Sequence, residues 1–533
     1  MPVATTTYTH SRPSYSSSVT PPSPETRRLI KKEEKLILQH GSKLHAYGRD
    51  KAPYPFSFDP EVLQLECLDH AFMRTLKGSA SCIDFKGEAP QRCLDLGTGL
   101  GDWVIDAAKE WRNCTFVGYD LVNVQIPLMA VEKSVAKRIQ WVHGNFLRQK
   151  LPFEDDEFDY VHIHCIALGV PENKWHNLFE EVRRVVRPGG MIEVIEEDVV
   201  FPVLPRWFTA PLHAPKNQAS DSEENLSDTL RPEAKTSADL PHDHAFLESL
   251  YYAVFQGRFL NPTPSSTLPS YFSAFFSHVL SPPVIHFPMP PIAPMPPPPS
   301  VSLSVENDLR AAGSSIPSSR FRSDSTASTV SDVFSQSSAG TDRASPSTSA
   351  TTSSSGSEGP PKSKWYMQSG GTRIGSAQDA LSLFPLCHAE NMDDHTLFLQ
   401  LKRAVAMVLS TKEAMWDELR ERIDSREKVR EREELVSVYG WDASDFEIEA
   451  CRVIFDRLVN RYKEDMHMRI SMWHILTKHG WKLPRREILS KSEYLEDQRF
   501  RRAILEAQQR PKDDDPRTPC RSVRLLVGVK VMS

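Results

Sequence analysis

Residues 93–102 read CLDLGTGLGD, and the glycines at Gly97, Gly99 and Gly101 fall where a short apolar strand, Arg92–Leu96, runs into a helix beginning near Asp102. A chain that turns this sharply brings backbone N–H groups against a ligand, so the segment predicts the floor of a nucleotide or nucleoside pocket. The spacing narrows the choice. A dinucleotide fingerprint places its third glycine three positions after the second, and here that position is Asp102. A phosphate loop needs Gly-Lys-Ser or Gly-Lys-Thr at the helix start, and the segment has neither.

Asp95 and Asp102 make the mouth of this turn acidic. Such a mouth repels pyrophosphate and suits a ligand that carries an ammonium, a sulfonium and a ribose, as S-adenosylmethionine does. The bland alternative is an ordinary turn between strand and helix that holds nothing. The following segments weigh against it. Residues 103–111 (WVIDAAKEW) place Trp103, Ala107 and Trp111 at helical spacing, with Val104 and Ala108 widening the same face. Residues 115–120 (TFVGYD) then form an apolar strand ending on Asp120, whose carboxylate could accept hydrogen bonds from both ribose hydroxyls. An ordinary strand-ending turn aspartate is the competing account.

The alternation predicts a helix over 124–138 and a strand over 139–142, closed by Gly144 and Asn145. The Asn145 amide could read an adenine amino group, while Phe146 offers an apolar face. A fourth strand is expected over 158–163 and a helix over 174–186, with Leu178, Val182, Val185 and Val186 on one side. Pro188, Gly189 and Gly190 stop that helix before a fifth strand over 191–195, which ends in Glu196, Glu197 and Asp198. Repeated strand and helix units of this kind call for a largely parallel, doubly wound α/β sheet.

The stretches CLDLGTGLGDWVIDAAKEW, FVGYDL, LPFEDDEFDYVHIH and VRRVVRPGGMIEVIEED resemble the seven-stranded class I S-adenosylmethionine-dependent methyltransferases, which are Rossmann-like. They are most similar to the fungal subgroup that includes LaeA-like proteins, regulators of secondary metabolism. The earlier APYPFSFDPEVLQLECLDHAFM, with its pair Asp69 and His70, resembles the segment that precedes the glycine motif in that subgroup. The resemblance covers residues 47–208. It implies S-adenosyl-L-methionine as cofactor, with Asp95, Gly97, Gly99 and Gly101 on its methionine side, Asp120 on the ribose, and Asn145 and Phe146 on the adenine. Two departures stand out: Asn145 replaces the acid of many members, and His164 replaces a frequent arginine.

Composition bounds the remainder. With 533 residues, 41 prolines and a heavy serine load, a good part of the chain is expected to stay unfolded. We expect a disordered tail over 1–35, the main part of the methyltransferase domain over 36–210, and a flexible loop over 211–240. A helical cap over 241–280 follows, then a Pro/Ser-rich disordered insertion over 281–370 and a C-terminal part over 371–533 that completes the sheet. Aromatic segments LESLYYAVF and YFSAFFSHVL supply the cap, with a satellite core as the equal alternative. A long helix is expected over 393–437, another over 445–478, a loose charged stretch after it, and a final strand over 523–531 as the seventh, with 481–483 near the sixth.

Eight cysteines without paired spacing support neither a disulfide framework nor a zinc site, and no metal is expected. No long uncharged apolar run suggests a membrane span, and a formal charge of −6 gives no electrostatic reason to bind nucleic acid. The absence of a targeting signal, together with the resemblance, leaves a cytoplasmic or nuclear location. Methyl transfer asks mainly for alignment of a nucleophile and, for oxygen or nitrogen, removal of a proton. His164 and Glu196, at the ends of the fourth and fifth strands, are the candidate catalytic groups, each with a purely structural role as the alternative. The reading is thus a methyltransferase acting on an unidentified O, N or C nucleophile. The runner-up is a regulator that keeps the fold and works through partners bound by its Ser/Pro-rich insertion. A nicotinamide-dependent oxidoreductase comes third, disfavoured by the early third glycine.

Overall fold

The computed structural model describes residues 36–85, 89–213, 240–292, 393–424, 429–470, 477, 480, 489–509 and 519–531. The tail expected over 1–35, most of the 211–240 loop, nearly all of the 281–370 insertion and residues 481–483 lie outside the described residues.

An antiparallel hairpin, β1 (Leu36–Gln39) and β2 (Ser42–His45), precedes helix α1 (Pro60–Lys77). Strand β3 (Arg92–Leu96), helix α2 (Asp102–Glu110), strands β4 (Thr115–Asp120), β5 (Ile139–His143) and β6 (Phe158–His164), helix α3 (Trp175–Val185) and strand β7 (Val186–Glu197) follow. Helices α4 (Ala245–Gln256) and α5 (Pro264–Phe275) lead to short strands β8 (Ser277–Leu280) and β9 (Ile285–Pro288). Beyond residue 393 come α6 (Asp394–Ser410), α7 (Lys412–Asp424), α8 (Val429–Ser437), α9 (Ile448–Arg469), α10 (Lys491–Gln509) and β10 (Pro519–Val529).

The sheet runs β5-β4-β3-β6-β7-β10-β8, with β9 also beside β10. Strands β3 to β7 are parallel, so both faces are covered and their sequences are nearly continuous apolar runs. One face packs Trp103, Ala107, Phe116, Tyr160 and Ile195 beneath α2 and α6; the other packs Leu94, Val161, Val194 and Leu526 beneath α3 and α5. β10 is antiparallel to β7 on one side and to β8 and β9 on the other, pairing Leu525 with Ile195, Val527 with Leu280 and Val523 with Ile285. β8 and β9 together fill one position. Pro282 and Pro283 stand between them, and two residues without N–H groups interrupt the ladder there.

The sixth position is therefore taken by 277–288, and the residues expected there, 481–483, lie outside the described residues. The helix expected over 124–138 reduces to a single turn at Lys133–Ala136, preceded by a 3₁₀ turn at Leu128–Ala130. Pro127 offers no amide to a helix, and the Ile126 amide is drawn instead to the Leu100 carbonyl at 2.9 Å. The helix expected over 393–437 is interrupted at Thr411, between α6 and α7, where the hydroxyl bonds the Val408 carbonyl at 2.7 Å; residues 425–428, between α7 and α8, lie outside the described residues. The stretch expected to be loose after 478 contains α10. Among the described residues no helix is long and apolar enough to cross a membrane, and no cluster of His, Cys, Asp or Glu is placed to hold a metal ion.

Candidate active site

The parallel strands all end at one rim, and a cavity opens there, above the turn between β3 and α2. Gly97, Gly99 and Gly101 all adopt left-handed backbone, with φ of 80°, 53° and 84°. They serve different purposes. A Cβ on Gly97 would lie 2.3 Å from the Ile166 side chain and one on Gly101 2.5 Å from the Trp141 ring, so both are packing glycines, and Gly101 does not line the cavity. A Cβ on Gly99 would meet only Glu66 Oε2, at 3.9 Å, so the space above it belongs to the cavity.

Four amides of this turn are not bare, contrary to the expectation from its sharpness. Gly97 and Thr98 donate to the Tyr119 carbonyl at 2.8 and 3.1 Å, Gly101 donates to the Thr98 carbonyl at 2.9 Å, and Gly99 donates to Asp120 Oδ2 at 2.8 Å. What faces the cavity instead is acceptor. Asp120 also takes the Val122 amide at 3.2 Å and a backbone donor at Leu121, which leaves its carboxylate one further lone pair for a ligand. Burial raises its carboxyl to about 6 against the pull of those backbone donors.

Asp95 is buried at the base of the turn and lines the cavity from there. It accepts from the Thr98 hydroxyl at 2.6 Å and contacts His162 Nδ1 at 2.7 Å, and burial raises its carboxyl to about 6 despite the Thr98 bond. The His162 ring stacks on Trp103 with centroids 4.1 Å apart. Asn145 and Phe146 line the far end of the cavity, although the Asn145 amide is already engaged by the Lys51 carbonyl at 2.8 Å and the Leu147 amide at 2.9 Å.

His164 lines the cavity at the end of β6, and its Nε2 is buried without a hydrogen-bond partner among the described residues. Burial pushes its imidazole down to about 3, against the opposing charge of Asp69. Glu196 is not there. It lies on the opposite face of β7, with Val194 and Ile192, where it accepts the amides of Ile166 and Ala167 at 3.0 Å each, and burial raises its carboxyl to about 8. Side chains alternate along a strand, so it is Glu197 that shares the cavity face with His164.

Elements far apart in the chain build the roof. Tyr54, Phe56 and Phe58 come from the segment before α1, Glu66 and Asp69 from α1, and Arg403 and Met407 from α6. Residues 245–280, expected as the cap, contribute none of the lining: α4 packs against α7, and α5 crosses the back of the sheet. The Asp69 and His70 pair splits. His70 Nε2 contacts Asp106 Oδ2 at 3.0 Å, while Asp69 turns inward to Arg521 and Arg403. Arg521 also reaches Glu197 Oε2 at 2.8 Å and Gln400 Oε1 at 2.6 Å, and Arg403 meets Glu197 Oε1 at 2.6 Å. Burial alone would raise Asp69, but the two guanidiniums override it and hold its carboxyl well below the usual range.

Sequence reasoning missed Glu66 and Arg403. Each is a charged residue beside the buried face of a helix, near Val62, Leu65, Asp69 and Met73 in one case and among Gln400, Leu401, Ala404 and Val405 in the other.

Residues 93–190 match the family described as Methyltransferase domain. Methyltransferase str2 of Strobilurus tenacellus is 25% identical over 208 residues, which are 37% of this chain and 71% of that protein. The secondary metabolism regulator LAE1 of Cochliobolus heterostrophus is 26% identical over 165 residues, 30% of this chain and 51% of that one. Demethylmenaquinone methyltransferase of Bacillus subtilis is 33% identical over 108 residues, 20% of this chain and 45% of that one. The chain thus spans about half the length of the latter two. A solved geranyl diphosphate methyltransferase in complex with SAM is 18% identical, covering 25% of this chain and 50% of its own with a TM-score of 0.20. The sheet order and the matched domain agree on a class I methyltransferase fold.

Proposed function

We propose that this chain binds S-adenosyl-L-methionine at the turn from Asp95 to Gly101 and transfers its methyl group to an O, N or C nucleophile held under the roof. One observation carries the reading. The Gly97, Thr98, Gly99 and Gly101 amides are engaged within the protein while the carboxylates of Glu66, Asp102 and Asp120 face the cavity, which favours a ligand that brings donors and positive charge of its own. A pyrophosphate brings neither. The cofactor supplies an already electrophilic methyl group.

The chain's residues then bind, orient and exclude water. Asp120 accepts the ribose hydroxyls, and Gly99 leaves the backbone open to close approach. Tyr54, Phe56, Phe58, Leu168 and Met407 wall the other end with apolar surface, where an acceptor is held out of water. The neutral His164 Nε2 accepts a hydrogen bond from the hydroxyl or amine of that acceptor and so turns its lone pair toward the methyl group.

Calorimetry tests the binding. The full chain is expected to bind S-adenosylmethionine and S-adenosylhomocysteine, and Asp120→Ala is expected to weaken both by about 10- to 100-fold, the worth of hydrogen bonds to a charged group. No heat with either compound at millimolar concentration overturns the reading. The matches to secondary metabolism regulators favour a second one, a regulator that retains the fold and cofactor and acts through partners in cytoplasm or nucleus. A labelled-methyl transfer assay separates the two, because the second predicts binding without turnover.

A further inference from the structure

Glu66 sits over the glycine turn, with Oε2 3.9 Å from where a Gly99 Cβ would be, and lines the cavity from α1. No hydrogen-bond donor among the described residues reaches its carboxylate. The nearest cation is already committed: Arg403 is paired with Glu197 through Nη1 at 2.7 Å and Nη2 at 2.6 Å, and its Nε stands 3.4 Å from Asp69. Besides Arg403 from α6, the charged and titratable groups that face Glu66 are Asp69 on its own helix, Asp120 at the end of β4, Asp102 at the start of α2 and Tyr54 from the preceding segment. A half-buried carboxylate lining the cavity among three others, with its one cation held elsewhere, lacks a counter-charge that a ligand can bring.

We propose that Glu66 is a further binding residue of this cavity, whose carboxylate takes the cationic part of the bound sulfonium nucleoside, either its ammonium or its sulfonium. This rests on the methyltransferase reading above and names a contact that reading does not need. Burial, opposed by Arg403 and reinforced by Asp120, raises the Glu66 carboxyl to about 7. A cation is held by the ionised form, so affinity for it rises with pH through about 7 and levels off above.

The test is calorimetry on the full chain between pH 5.5 and 8 with three probes. S-adenosylmethionine carries both charges, S-adenosylhomocysteine only the ammonium, and methylthioadenosine neither. Glu66→Gln is expected to weaken S-adenosylmethionine about tenfold at pH 8, to flatten its pH dependence, and to leave methylthioadenosine within twofold. Glu66→Asp, which keeps the charge, retains the pH dependence even if it binds less tightly. A parallel loss for S-adenosylhomocysteine assigns the ammonium, and its sparing assigns the sulfonium. Equal losses for all three probes make Glu66 a structural residue and overturn the proposal, as does an unchanged pH profile in Glu66→Gln. Failure of the unsubstituted chain to bind any probe removes the methyltransferase reading itself, which the variants alone cannot do.

Discussion

His164 shows how much a single environment changes what a residue can do. Free imidazole titrates near 6.5, but here burial moves it to about 3, so the ring is neutral throughout the working range of most enzymes. It accepts a hydrogen bond well and stores a proton poorly. His164→Ala is therefore expected to lower kcat by about 100-fold, at the modest end of proton-transfer and positioning effects, with S-adenosylmethionine affinity unchanged and no break near pH 6.5 in the unsubstituted enzyme. Equal loss of turnover and affinity would remove its role toward the acceptor. At this scale the placement of the glycine turn, Asp95 and Asp120 beside one cavity was legible because their partners lie within a few positions or on the next strand. Glu196 was misassigned by one residue of parity: it continues the inward phase of Ile192 and Val194, a clue present in the apolar pattern itself. Glu66 and Arg403 line one cavity from helices more than three hundred positions apart, and no local pattern announces that convergence.

The elements around the cavity are held by one buried ionic cluster. Asp69 on α1, Glu197 at the end of β7, Gln400 and Arg403 on α6, and Arg521 on β10 share guanidinium and carboxylate groups that are each no more than 8% exposed. Two carboxylates balance two guanidiniums, so removing one partner strands a charge. Arg521→Met is expected to cost about 3–5 kcal/mol in urea unfolding at pH 7. The pH dependence follows from sign. Burial raises Asp69 and Glu197, but the guanidiniums more than reverse this, leaving both below their ordinary values. Their contribution is thus fully present above the unfolded-state values of about 4 and is lost as pH falls toward the folded ones. The unsubstituted protein is expected to lose stability below about pH 4 more steeply than Arg521→Met, and parallel curves would show that the cluster carries no such coupling. Elements with strong periodicity, β3, α2, β4 and α3, were read to within a residue or two. Those that failed did so for tertiary reasons: the 124–138 segment is pulled to the glycine turn by Gln125 and Ile126, and β8 and β9 are too short and proline-broken to register as a strand.

At the scale of the molecule, the part of the chain beyond residue 393 is structurally inseparable from the part before 292. It returns a helix to roof the cavity and a strand to the interior of the sheet. β10 pairs on both edges, and Val523, Leu525, Leu526, Val527 and Val529 are each 1% exposed. Fully burying such a side chain is worth about 1.5–3 kcal/mol, so these five together approach the roughly 5–15 kcal/mol by which a whole domain is stable. Deleting 519–533 also removes Arg521 and leaves β7 facing an empty position, with β8 and β9 paired to nothing else described. The truncated chain is expected to show no cooperative thermal or urea transition, to bind a hydrophobic dye, and to bind no S-adenosylmethionine. Far-ultraviolet circular dichroism would still report helix, since α2 and α3 keep their own apolar faces. A melting transition unchanged by the deletion would mean that β10 decorates an already complete sheet, and would separate the roof from the fold that carries it.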